Sequence, residues 1–339
     1  ACGTAHLLMK RTPMVQGLTA PPHTTAAQRR AIGLVTGLAT ALDFASGGPL
    51  LNPRIEAGWS PGGAATVRMS GSALVLLPVL IIALRRDPGL LRRNALIIIG
   101  FGATGVAGCQ LFYLGAIQRM PVGVALLVQY LAPVLLVGLA WIRTRQAPGR
   151  LVLLGSAVSI VGLVFVIDIG GATFDALGVL FALGAAVSLG GYFLLSERAG
   201  DGLPPLVLAA AGLLVGALFS GGLSVVGLLP LSAPPVDVVL GGVTVPWFVP
   251  LLWVVVIATA LAYGLGVLAV TQVGSRVASF VGLSEVLFAI LIAWVILGEQ
   301  PTFVQVIGGA LIVAGVVFVR VGTPPRVVPV PNVPVVPSP

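Results

Sequence analysis

"AIQRMPVGVALLVQYLAPVLLVGLAWI" (Ala116–Ile142) and "AVTQVGSRVASFVGLSEVLFAILIAWV" (Ala269–Val295) lie 153 residues apart and align without a gap. The register persists beyond them: Pro148 falls on Pro301, Gly155 on Gly308, Gly162 on Gly315 and Phe165 on Phe318, while Ala140-Trp141 falls on Ala293-Trp294. Agreement among Leu, Ala and Val is common in apolar text, but matched Trp, Pro and Gly are not. The chain therefore reads as an internal duplication.

Composition says what is duplicated. Of 339 residues, 58% are hydrophobic and only 8% charged, and the mean hydropathy is +1.10. A soluble domain is about half apolar and about a quarter charged, so this is an integral membrane protein. Apolar runs long enough to cross a bilayer core recur along the chain, near residues 31–51, 64–84, 94–117, 121–142, 150–167, 176–196, 205–229, 248–271, 277–297 and 302–319. They are apolar all round rather than alternating with period two, which predicts helices and not barrel strands. The expected fold is all-α with ten transmembrane helices.

The repeat unit is then five spans. Because five is odd, the second copy enters the membrane from the side opposite the first, and the halves are inverted repeats. That architecture lets one central site face each side of the membrane in turn. The expected layout is a cytoplasmic N-terminal tail (1–30), a first five-helix repeat (31–168), a second (174–320) and a Pro-rich C-terminal tail (321–339). The first tail has no signal-type apolar core and contains Met9 and Met14, each a candidate translation start; "TPPRVVPVPNVPVVPSP" at the other end is an extended segment.

Basic residues set the orientation. With both termini inside, 15 of the 18 Lys and Arg fall on cytoplasmic segments. Arg54, Arg68 and Arg119 fall on or toward the outer side, where the loops instead carry Glu56, Asp168, Asp175, Asp237 and Glu299. This is the positive-inside pattern, and it places the chain in a plasma membrane, multi-pass, with cytoplasmic termini.

Several chemistries are excluded. Cys2 and Cys109 cannot build a disulfide framework or a thiolate metal site, and both histidines, His6 and His23, lie in the N-terminal tail. "GFGATG" (Gly100–Gly105) fits GxGxxG, but no strand precedes it and it lies inside an apolar span, so its glycines, like Gly212 and Gly216, serve close helix packing. No Walker A sequence is present, and no cofactor, metal or nucleic-acid partner is implied. The partners expected are a small-molecule substrate and lipid, with protons as a candidate coupling ion and a homodimer left open. A secondary transporter fits these features, and the chain is not read as an enzyme. The alternatives are a membrane-embedded enzyme, for which two isolated intramembrane acids are a poor start, and a channel or non-transporting scaffold.

The stretches "FYLGAIQRMPVGVALLVQYLAPVLLV" and "LSEVLFAILIAWVILGEQPT", with the ten spans and their duplication, resemble the EamA family of the drug/metabolite transporter superfamily over about residues 31–320. The first stretch is nearest in look to the threonine/homoserine exporter branch. The resemblance implies an inner-membrane exporter of amino acids or related small metabolites. Family members often pair Glu with Pro in the fourth helix of a repeat; here each half keeps one member, Pro133 after Ala132 and Glu285 before Val286. Exporters of the threonine/homoserine type tend to carry an acid near Gln129, where this chain has an amide, so their substrate preference does not transfer directly.

The candidate site residues are the polar groups inside spans. Glu285 is followed by thirteen uncharged residues, and an acid there costs about 2.5–3.5 kcal/mol on insertion scales. It either bonds a neighbouring helix or works, by coupling to a proton or binding a substrate amine. Asp43 precedes Gly47, Gly48 and Pro49, which are expected to break the first helix in its outer half; a helix-end cap or an ion pair with Arg68 is its structural reading. Arg68 is a candidate for substrate contact or for snorkelling outward. Gln110 and Tyr263 occupy equivalent positions in the two halves, which would place both near a central axis. Gln129, Tyr113, Tyr130 and, outside the site set, Tyr192 are further polar groups, with interfacial anchoring or interhelical hydrogen bonding as their plainer roles.

Overall fold

The structure, a computed structural model, describes residues 26–120, 122–167, 175–199, 202–240, 242–298, 300 and 302–323. Most of both expected tails, with Met9, Met14, His6 and His23, lies outside the described residues. Residues 26–30, expected as tail, already belong to the first helix, Ala26–Glu56.

Among the described residues nine helices are long and apolar enough to cross a membrane, and the shorter apolar Arg150–Val166 completes ten. After the first come Pro61–Arg86, Ala95–Ile117, a fourth span in two pieces (Val122–Gln129 and Ala132–Thr144), Arg150–Ile167, Ala176–Ser196, Pro205–Val225, Phe248–Val273, a ninth span in two pieces (Ser275–Gly282 and Ser284–Leu297) and Phe303–Gly322. The one addition to the all-α expectation is a small hairpin, Val238–Leu240 with Val243–Val245, between spans seven and eight.

The inverted duplication is visible in the packing of spans five and ten. A Cβ added to Gly155 would sit 2.6 Å from the Gly315 carbonyl oxygen, and one added to Gly308 would sit 2.6 Å from that of Gly162. The repeat register exchanges Gly155 with Gly308 and Gly162 with Gly315, so the contact maps onto itself when the halves are swapped. Small residues permit this approach, and in lipid such packing is a main reason for helices to associate.

The third span of each half carries a wide-turn π segment in matching places, Phe101–Gly108 and Val256–Leu261. The "GFGATG" glycines pack as expected: Cβ atoms on Gly102 and Gly105 would meet Val215 at 2.5 Å and Tyr192 at 2.9 Å. The fourth and ninth spans also break in register, at Tyr130-Leu131 and at Leu283. The break expected in the first span is absent. That helix runs through Gly47, Gly48, Pro49 and Pro53 without interruption, because a proline removes one internal hydrogen bond and the surrounding spans hold the rest in place.

At the face opposite the chain ends, the turn after span one is tied to the turn after span seven. The Trp59 indole N–H donates to the Pro234 carbonyl at 2.8 Å, the Ser60 hydroxyl to the Pro230 carbonyl at 2.6 Å, and the Ser60 N–H to the Ser232 carbonyl at 2.9 Å. Arg54 is fully buried here, its guanidinium 4.8 Å above the Trp59 ring centre.

Candidate transport site

The interruptions in spans four and nine border a central cavity of about 320 Å³. The backbone stays hydrogen-bonded through them by tight turns, the Leu131 N–H donating to the Val128 carbonyl at 3.1 Å and the Leu283 N–H to the Phe280 carbonyl at 3.1 Å. In each half the residues bracketing the break face that space: Leu126, Gln129 and Pro133 from the fourth span, and their repeat equivalents Ser279, Gly282 and Val286 from the ninth.

Glu285 lies in the first turn of Ser284–Leu297 and lines the cavity. Two polar groups face it: Tyr130, from the equivalent span of the opposite half, and Arg68, from span two, line the same cavity. The amino end of a helix also favours negative charge, which offsets part of the cost of removing a carboxylate from water. Glu285 thus shares a cavity with a hydroxyl and a cation.

Seven of the eight sequence-predicted residues meet on this cavity: Glu285, Gln110, Tyr263, Gln129, Tyr113, Tyr130 and Arg68. Gln129 donates from its amide nitrogen to the Cys109 sulfur at 3.2 Å, while its carbonyl oxygen is buried without a partner. Tyr263 follows the second π segment, and its hydroxyl donates to the Gly105 carbonyl, inside the first, at 3.2 Å. Its ring stacks edge-on against Phe44 at 5.1 Å and Tyr192 at 5.8 Å. This aromatic wall joins both halves.

Asp43 is the exception. Its neighbours Phe44 and Ala45 line the cavity, whereas Asp43 does not. It caps no helix end, since the helix continues to Glu56, and it forms no ion pair with Arg68; its Oδ2 is buried without a hydrogen bond. Successive helix positions turn by about 100°, so a one-residue step suffices to rotate a side chain away from the cavity.

Sequence reasoning left out Phe44, Ser279 and Pro133 as site residues. Ser279 could have been found, as a buried hydroxyl inside a span at the equivalent of Leu126. Phe44 carries no such signal, because apolar side chains in an apolar helix look alike until packing is known. Among the described residues no group of acids, histidines or cysteines could hold a metal ion.

The comparisons agree with this geometry. The model of the EamA-like transporter family matches residues 31–168 and again 176–321. The uncharacterized transporter YdfC of Bacillus subtilis is 27% identical over 303 residues, 81% of this chain and 86% of that one. The threonine/homoserine exporter RhtA of Salmonella typhimurium is 27% identical over 227 residues, 66% of this chain and 70% of that one. A solved crystal structure at 21% identity superposes with a TM-score of 0.65, covering 86% of this chain and 95% of its own, and speaks for the fold alone. Two family matches in tandem, ten membrane helices among the described residues and a cavity lined from both halves make this chain a member of the EamA-like transporter family, within the drug/metabolite transporter superfamily.

Proposed function

We propose that this transporter works in the bacterial inner membrane as an exporter of amino acids or closely related small metabolites, by alternating access, with Glu285 binding the substrate's ammonium group or a coupling proton. The observation that carries the reading is the presence of one cation, Arg68, and one acid, Glu285, on the same central cavity. An α-amino acid presents a carboxylate to the first and an ammonium to the second. The exporter named for threonine and homoserine supports the direction and the substrate class, while Gln129 in place of an acid argues for a preference of this chain's own.

Orientation follows from charge. The face where the chain begins and ends carries Arg29, Arg30, Arg85, Arg86, Arg92, Arg93, Arg143, Arg145, Arg150, Arg198, Arg276 and Arg320, and the positive-inside rule makes it cytoplasmic. Reporter fusions after Arg92 and after Gly298 should report opposite sides of the membrane; finding both on one side would end the inverted orientation.

The function is tested by metabolite profiling of medium from overexpressing and deleted cells, followed by flux in proteoliposomes. Saturable, gradient-dependent efflux of an amino acid is expected. Flux that does not saturate, or no amino-acid flux at all, would overturn the reading. An embedded enzyme has no observation in its favour, since Asp43 and Glu285 do not share the cavity and supply no paired acids.

A further inference from the structure

We infer that a second cavity, at the face where the chain begins and ends, is a loading site for a zwitterionic α-amino acid on its way to the central cavity. The inference rests on the transport reading above and deepens it. The cavity has a volume of about 380 Å³, within the range of about 300–1,000 Å³ typical of small-molecule sites.

Three spans each send an arginine to it: Arg30 from the first, Arg143 from the fourth and Arg276 from the ninth. Among the described residues none of the three guanidinium groups has a hydrogen-bond or ion-pair partner. Topology alone asks for arginines anywhere on this face, and Arg85, Arg86 and Arg92 meet that need without lining this cavity. Convergence from three helices onto one space is a further fact. The guanidinium fork matches the geometry of a carboxylate and holds it by charge-assisted hydrogen bonds.

The same cavity offers a place for the other end of a zwitterion. Glu197 lines it and accepts a hydrogen bond from the Ser275 hydroxyl at 2.6 Å. A purely anionic ligand would be repelled by that carboxylate, so a lining of three guanidinium groups and one acid favours a molecule carrying both charges.

The position suits loading. Pro133 lines the central cavity and Leu136, one turn along, lines this one; Phe193 and Leu194, and Ser279 and Val277, divide in the same way. The buried side chains of Leu136, Phe193 and Val277 therefore lie at the boundary between the two cavities. An amino acid held at Arg276 stands about two helix turns from Leu283, after which Glu285 begins its helix.

The experiment uses the full chain in phosphatidylcholine nanodiscs, with phenylglyoxal labelling of arginines read by peptide mass spectrometry. L-threonine or L-homoserine at about nine times its Kd should slow labelling of Arg143 and Arg276 by roughly tenfold, the protection mass action gives at that occupancy, and acetate at the same concentration should protect less. Protection should persist in Arg68→Gln, which alters only the central cavity. No protection by either amino acid, protection only by inorganic phosphate, protection only when phosphatidylglycerol is present, or its loss in Arg68→Gln would each overturn the inference. In proteoliposomes sorted by orientation, Arg143→Gln and Arg276→Gln should raise KM about tenfold for amino acid at the arginine-rich face while leaving kcat and the KM at the opposite face unchanged. Equal changes at both faces would contradict it. Protection without any amino-acid flux would instead retire the transport reading and keep the site.

Discussion

The fourth and ninth spans are the same device with different chemistry. Both break in register, at Tyr130-Leu131 and at Leu283, and both present the residues around the break to the central cavity. Yet Ala132 is fully buried, away from that cavity, while its repeat equivalent Glu285 lines it. Tyr130, from the equivalent span of the other half, lines that cavity with Glu285. The backbone is symmetric and the polar groups are not. On the proposed alternating-access reading, the symmetric frame gives the two faces equivalent ways to open and the asymmetric lining gives the substrate one place to bind.

The largest effect expected from disturbing this comparison comes from Ala132→Glu, which copies the acid of the second half into the first. Ala132 has no exposure, so the new carboxyl has neither cavity nor partner, adding about 2.5–3.5 kcal/mol for the acid to about 1–3 kcal/mol of overpacking. Loss of folded protein in size-exclusion profiles of detergent extracts is the expected result. Normal yield would mean that the halves are more interchangeable than their packing implies.

Next come the symmetric glycines. Gly155→Val and Gly308→Val push side chains into carbonyl oxygens 2.6 Å from the Cβ position, and each should cost about 1–3 kcal/mol, with midpoints of thermal unfolding lowered to similar degrees. Unequal losses would break the two-fold relation of spans five and ten.

A smaller effect is expected at Gly266, whose repeat equivalent is Tyr113. A Cβ there would collide with the Tyr192 hydroxyl, so Gly266→Ala should destabilise by about 1 kcal/mol and slow transport. Adding Tyr192→Phe removes the obstructing oxygen, which is buried and unpartnered, and should restore both. Failure of that rescue would point to the backbone rather than to the side-chain clash.

The smallest concerns the tenth span, whose Thr302 and Gln305 form a reciprocal capping box, whereas the equivalent of Thr302 in the first half is Gly149. Thr302→Ala should cost about 1 kcal/mol in thermal unfolding, and transport should be unchanged.

Much of this was legible in the chain because a bilayer enforces simple rules. Span length, helical form and the duplication follow from hydrocarbon thickness, backbone hydrogen bonding and the 153-residue register. The polar residues that meet on the cavity were legible for the same reason: Glu285, Gln110 and Gln129 stand out where nearly every neighbour is apolar. Asp43 obeyed the same logic and is not among the residues lining that cavity; rotation about a helix axis depends on packing with other spans, which an all-apolar helix does not encode as an amphipathic stripe. The break was expected at Gly47-Gly48-Pro49 and occurs instead at Tyr130-Leu131 and Leu283. Glycine and proline permit a break, but only competing tertiary contacts decide whether one forms. Glu197 and the three arginines around it come together from distant spans, and only their placement in space joins them.

The central claim is that the lone acid of the cavity carries transport. Glu285→Gln keeps the shape and a hydrogen-bonding oxygen but cannot ionise or lose a proton. Purified variant and wild type, reconstituted into proteoliposomes with an imposed pH gradient, should insert and unfold alike, while amino-acid flux driven by that gradient is abolished in the variant. Wild-type flux with wild-type pH dependence in Glu285→Gln would contradict the account and leave Glu285 as a packing residue.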